Sequence, residues 1–127
     1  MLEFRCFELP PIGTNAYLVL SPERREAAVF DAPQNAYATV ERIMVQTGYT
    51  LTGCYFTHGH WDHTLDGYQF NLQNIPTYAH DGDREFFQNP ESMAAFAFPG
   101  LKMNPVRIDH WVDIAAPLEI LGKSVEI

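Results

Sequence analysis

One stretch decides the fold: Leu51-Thr52-Gly53-Cys54-Tyr55-Phe56-Thr57-His58-Gly59-His60-Trp61-Asp62-His63. Its first part is apolar and predicts a buried strand over residues 51–56. His58, His60 and His63 follow within six residues, with Asp62 among them. Residues two apart point in opposite directions on a helix but in the same direction in an extended chain. His58 and His60 can therefore face a common target only if they lie in a loop at the end of this strand.

The second half of the same stretch predicts the start of a helix. Asp62 suits a helix N-terminus, which favours negative charge. Imidazole and carboxylate groups together are typical ligands of Zn, Fe or Mn. A helical zinc-protease site is disfavoured because the sequence has no His-Glu-x-x-His. Four candidate ligands at the mouth of a strand predict a metal site formed by His58, His60, Asp62 and His63.

The flanking sequence predicts alternating strands and helices. Asn35 is a candidate helix N-cap and Gly48 a candidate C-terminal cap. Strands are expected over 2–7, 16–20, 27–30 and 76–79, a short helix over 81–88, and a hairpin over 118–127. The expected class is α/β or α+β, with an antiparallel meander at the start.

Length, composition and charge exclude several classes of protein and of binding partner. A length of 127 residues is that of one domain, and 46% hydrophobic residues exclude a disordered chain. The net charge is −8, and Arg24-Arg25 is the densest basic run, which argues against nucleic acid and anionic membranes as partners. The sequence contains no signal-peptide pattern and no apolar run of about 18 residues, so we expect a cytoplasmic protein. Cys6 and Cys54 lie in apolar stretches and are expected to be buried thiols.

The histidine-rich segment resembles a known motif. Thr57-His58-Gly59-His60-Trp61-Asp62-His63 is similar to the T-H-x-H-x-D-H motif of the metallo-β-lactamase superfamily. The segment Thr14-Asn15-Ala16-Tyr17-Leu18-Val19 is similar to the N-x-Y-L-V strand of that family, and Ala28-Val29-Phe30-Asp31 to its V-x-I-D strand. Small glyoxalase II-like hydrolases give the best match, which covers most of residues 1–80.

The resemblance implies a fold and a set of roles. Residues 1–127 would form a single domain, the N-terminal half of a metallo-β-lactamase-like αβ/βα sandwich. His58 and His60 would bind one divalent ion, and Asp62 and His63 a second, with zinc expected and iron or manganese as alternatives. Asp31 would orient a ligand, and Asp62 would also orient the nucleophile, a metal-bound hydroxide.

The sequence also departs from the family pattern. The family supplies further ligands from a later H-x-P-G-H stretch, a bridging Asp and another His, and none of these is present. The later histidines, His80 and His110, are not expected to be ligands; His110 is expected to lie in a loop. The hairpin over 118–127 resembles the one that precedes H-x-P-G-H, so the domain is expected to be truncated before its second ligand segment.

Two functions remain open at this point. The resemblance implies a metal-dependent hydrolase acting on a small-molecule acyl or thioester substrate. The alternative is a catalytically incomplete fragment or half-domain that binds metal weakly or works only on assembly with a partner. Because such a half-fold exposes a sheet edge and an apolar face, we expect a homo-oligomer or a missing C-terminal half.

Overall fold

The first three strands form the predicted antiparallel meander. The structure is a computed structural model, and it describes residues 1–126. Strands β1 (Glu3–Leu9), β2 (Thr14–Ser21) and β3 (Glu26–Phe30) pair in sequence order, with Tyr17 of β2 opposite both Cys6 and Phe30. In this register, the C-terminal end of β3 and the start of β2 lie side by side at the same end of the strands.

The chain then crosses over between parallel strands. Helix α1 (Ala36–Thr47) leads to β4 (Thr50–Tyr55), which pairs parallel to β3. The remaining elements are α2 (Trp61–Thr64), α3 (Gly67–Leu72), β5 (Thr77–His80), a 3-10 turn (Asp81–Asp83), α4 (Arg84–Gln88), a 3-10 segment (Pro90–Phe96), β6 (His110–Val112), β7 (Leu118–Ile120) and β8 (Lys123–Val125). The main sheet has six strands in the order β1 to β6, and β7 and β8 form a separate hairpin. The predicted mixed α/β class is therefore confirmed, and so is the terminal hairpin as far as residue 125; Ile127 lies outside the described residues.

The main core lies between one face of this sheet and the helices. Leu18, Leu20 and Val29 from the strands meet Val40 of α1 and Phe70 of α3, and all five are buried. Burying apolar side chains of this size stabilises the fold by about 1.5–3 kcal/mol each. This packing fixes the strand ends from which the histidine-rich segment projects.

The opposite face of the sheet is partly covered by the terminal hairpin. Ile120 and Leu121 pack there against Val19, and the rings of Tyr55 and Tyr78 stack with their centroids 4.4 Å apart. Farther along this face, Phe4 is 72% exposed. Part of an apolar sheet face therefore faces solvent.

Two local expectations are wrong, and a third holds only in part. Cys6 is exposed on β1, because it lies on the open part of that face, whereas Cys54 is buried as expected. His110 lies in β6, where it pairs with Tyr78; a three-residue strand leaves too short a pattern to detect. Asn35 is the N-cap residue of α1, as expected, but its backbone is left-handed and its side chain makes no capping hydrogen bond.

The first turn of α1 is satisfied from a distant residue instead. The Tyr37 N–H donates to Asp66 Oδ2 at 2.6 Å. Gly48 ends the helix in the left-handed conformation, as predicted, and its N–H donates to the Met44 carbonyl. Within residues 1–126, no helix has the length and apolar character needed to cross a membrane.

Candidate metal centre

The histidine-rich segment leaves the sheet at the end of β4. Residues 57–60 are not helical, His60 is extended (φ −60°, ψ 142°), and Trp61 begins α2. The predicted change from extended chain to helix is thus confirmed, and Asp62 lies in the first helical turn. The loop and the helix start together present four side chains to one region.

The structure brings the predicted ligands together. The ring centroids of His58 and His60 are 4.6 Å apart, and those of His58 and His63 are 4.2 Å apart. The Asp62 carboxylate lies 3.5 Å from His63 Nε2. All four side chains therefore form one polar cluster.

Asp31 is the buried support of this cluster. It follows β3 with a left-handed backbone (φ 67°), which Asp tolerates better than most residues. Its Oδ1 accepts from the Thr57 N–H at 2.8 Å, and its Oδ2 accepts from the Thr57 hydroxyl at 2.7 Å and lies 2.9 Å from His63 Nδ1. A carboxylate at that distance holds the proton on Nδ1 and leaves the Nε2 lone pair of His63 free.

Thr57 fixes the position of the ring proton of His58 in a similar way. The single hydroxyl proton of Thr57 is donated to Asp31, so its oxygen accepts from His58 Nδ1 at 2.9 Å. His58 therefore also carries its proton on Nδ1 and has a free Nε2. Burial lowers the pKa of His58, and the neighbouring His63 lowers it further. A lowered pKa favours the neutral ring, the form that binds metal.

Two contacts of the cluster were missed by the sequence reasoning. The buried Thr14, at the start of β2, donates its hydroxyl to Asp62 Oδ2 at 2.7 Å. The Gly59 N–H donates to Asp83 Oδ2 at 2.8 Å. These pairs are 48 and 24 residues apart in sequence, so no local pattern indicates them.

The two later histidines make other contacts. His80 Nδ1 accepts from the Gly82 N–H at 3.0 Å. The His110 ring stacks on Tyr78 with a centroid distance of 4.7 Å. These contacts give both side chains local roles at the ends of β5 and β6.

The donor chemistry of the cluster fits a divalent ion. Two imidazoles have an oriented, free Nε2, and a carboxylate lies beside them, which matches the preference of Zn, Fe or Mn. Within residues 1–126, however, no three His, Cys, Asp or Glu side chains converge closely enough to hold an ion by themselves. The cluster therefore has the donor types of a metal site, but within the described residues it does not form a complete one.

Comparisons with known proteins agree with this fold. A hydroxyacylglutathione hydrolase from Cyanothece sp. is 37% identical over 97 residues, which are 76% of this chain and 37% of the relative. The crystal structure of the B3 metallo-β-lactamase BLEG-1 superposes with a TM-score of 0.80 at 25% identity, covering 96% of this chain and 58% of that chain. The protein TTHA1623, solved in a di-iron-bound form, superposes with a TM-score of 0.59 at 23% identity, covering 81% and 54%. No protein-family model matches the chain.

The fold, the histidine-rich segment and these similarities place the chain in the metallo-β-lactamase superfamily. Within that superfamily it is glyoxalase II-like, and the relatives it matches include hydrolases. The chain spans little more than a third of the length of the hydroxyacylglutathione hydrolase and about three-fifths of BLEG-1.

Proposed function

We propose that this chain carries part of the active site of a metal-dependent hydrolase that cleaves a thioester or a related acyl bond. His58 and His60 would hold one divalent ion, and Asp62 and His63 a second. Zinc is the expected metal, with iron or manganese as alternatives; TTHA1623 was solved with two irons. The observation that carries the proposal is the orientation of His58 and His63, whose Nδ1 atoms face Thr57 and Asp31.

Each residue of the cluster would have its own role in the reaction. When bound, divalent ions supply a Lewis acid for the acyl carbonyl and make water nucleophilic at neutral pH. Asp31 and Thr57 keep the Nε2 atoms of His58 and His63 free to bind. Thr14 donates to Asp62 Oδ2 and holds the carboxylate, which would bind the second ion and accept a hydrogen bond from the attacking water. Asp62 would thereby be the catalytic residue that orients the nucleophile.

The test begins with metal binding. The chain is stripped with a chelator and titrated with zinc by calorimetry, beside a His58→Ala/His60→Ala variant. We expect zinc binding that the double variant loses, because an imidazole pair is the core of the first site. Equal binding by both proteins would overturn the assignment of these ligands.

The substrate class is tested with two thioesters. One is a hydroxyacylglutathione, the substrate type in the name of the Cyanothece relative; the other is an acyl thioester of N-acetylcysteamine, which lacks the glutathione peptide. Zinc-dependent release of thiol from either supports acyl hydrolysis. Absence of turnover with both, in a chain that holds zinc, would contradict hydrolysis by this chain alone.

A second candidate function is a half-domain that becomes active on assembly. It is favoured by the lack of a three-ligand cluster within residues 1–126. The exposed apolar sheet face around Phe4 supports the same idea, since a further polypeptide would cover it. Two tightly held metal equivalents on a monomer of 14.5 kDa would contradict this candidate, whereas weak binding by a dimer would support it.

A further inference from the structure

The loop that carries His58 and His60 is held from one side by a carboxylate. The buried backbone N–H of Gly59, the residue between the two histidines, donates to Asp83 Oδ2 at 2.8 Å. Asp83 belongs to the 3-10 turn after β5, 24 residues later in the chain. A hydrogen bond to a charged acceptor is stronger than one between neutral groups.

The same side of the loop is packed without free space. A Cβ at Gly59 would lie 2.9 Å from Asp83 Cβ, 3.0 Å from Phe86 Cβ and 3.2 Å from Phe87 Cε2. The Phe86 ring also lies beside the His60 ring, with centroids 6.1 Å apart. The 3-10 turn and α4 therefore pack directly against the backbone of the loop.

A second acidic residue of the same turn carries the same charge but has other partners. Negative charge alone therefore does not explain the contact of Asp83 with Gly59. Asp81 lies in the same turn with a 59% exposed side chain, and its carboxylate is 3.9 Å from Arg84 and 3.9 Å from His80. Its partners are exposed groups of its own segment, where ion pairs contribute little. Asp81 thus offers a matched control for the charge of Asp83.

We propose that Asp83 is a positioning residue that fixes the spacing between His58 and His60 by holding the Gly59 N–H. This inference rests on the proposed metal site. Histidines that are already held in place lose less conformational freedom when an ion binds. The metal affinity therefore depends on the packing of the 3-10 turn and α4 against the loop. Contacts that orient metal ligands typically change affinity by about 10- to 100-fold when removed.

Two conservative variants of Asp83 distinguish a positioning role from a purely electrostatic one. Asp83→Asn keeps an acceptor oxygen at the same reach and removes the charge. Asp83→Glu keeps the charge but adds a methylene, which moves the carboxylate away from the position that accepts from the Gly59 N–H. A positioning role predicts that Asn retains zinc affinity within about threefold and that Glu loses about tenfold. An electrostatic role predicts the reverse order.

The readouts are zinc affinity by competition with a chromophoric chelator, the visible spectrum of the cobalt-substituted chain, and amide exchange of residues 57–60 without metal. We expect Asp83→Glu to lower affinity, to alter the cobalt spectrum and to speed exchange at Gly59. Asp81→Asn should match the wild type in all three. The proposal is overturned if Asp83→Glu matches the wild type, or if Asp83→Asn and Asp81→Asn weaken binding equally.

Amide exchange also separates this inference from the proposed function. If the wild-type chain binds neither zinc nor cobalt, the proposed metal site fails. Slow exchange at Gly59 that Asp83→Glu abolishes would still establish that Asp83 holds the loop. If exchange is unaffected while zinc binds, the positioning role alone is refuted.

Discussion

Asp31 is the residue whose loss should disturb the cluster most. Its buried carboxylate accepts two hydrogen bonds from Thr57 and contacts His63 Nδ1 at 2.9 Å. Replacing Asp31 by Ala removes the acceptor for all three donors. Replacing it by Asn keeps the shape and suits the left-handed backbone, but places an amide NH2 where one carboxylate oxygen was.

The magnitude follows from these contacts. A hydrogen bond to a charged group contributes about 1.5–3 kcal/mol. Because Thr57 is exposed and the His63 side chain is 22% exposed, water replaces part of the loss and the low end applies. We expect Asp31→Ala to lower the free energy of unfolding by about 4 kcal/mol, with about 1 kcal/mol more from an Ala in the left-handed region. Asp31→Asn should lose roughly half as much, since its remaining oxygen still accepts from the Thr57 N–H.

The assay is urea unfolding of the metal-free chain, with nitrogen NMR of the imidazoles as a second readout. The slope of the unfolding free energy against urea should stay constant, which shows that the folded state keeps its compactness. In Asp31→Asn the amide would donate toward His63 Nδ1, so the proton of that ring should move to Nε2. A loss below about 1 kcal/mol for Asp31→Ala, or an unchanged His63 tautomer in Asp31→Asn, would contradict the role assigned to the Asp31 carboxylate.

Three further predictions concern single contacts. Thr14→Val removes the hydroxyl that holds Asp62 and should lower zinc affinity about tenfold in a calorimetric titration, whereas Thr14→Ser should bind like the wild type. Burial raises the pKa of Asp66, so the folded state binds its proton more tightly than the unfolded chain does. The wild type should therefore lose stability relative to Asp66→Asn as the pH rises above about 4, measured by urea unfolding at pH 4 and pH 7; a gain instead would contradict the burial argument. Gly67→Ala places a Cβ 2.7 Å from Val106 Cγ2 and should cost roughly 1–3 kcal/mol, and an unchanged urea midpoint would count against this packing.

Local sequence was enough to predict the elements that carry the candidate ligands. The apolar run before His58 and the acid at Asp62 mark a strand end and a helix start, because these signals act between neighbouring residues. The antiparallel meander and the Gly48 cap were predictable for the same reason. The three-residue strand around His110 was not, since its formation depends on pairing with β5 rather than on its own pattern.

The supports of the cluster belong to tertiary structure. Sequence spacing alone determined that His58, His60, Asp62 and His63 lie together, because an extended loop followed by a helical turn brings side chains up to five residues apart to one place. The resemblance to a known motif pointed to Asp31, but its hydrogen bonds join residues 26 and 32 apart. Those of Thr14 and Asp83 join residues 48 and 24 apart. Such contacts exist only once the sheet register and the packing of α4 have set the distances between strand ends. The sequence thus determined which side chains are candidates to bind metal, and the tertiary structure decided what holds each of them in place.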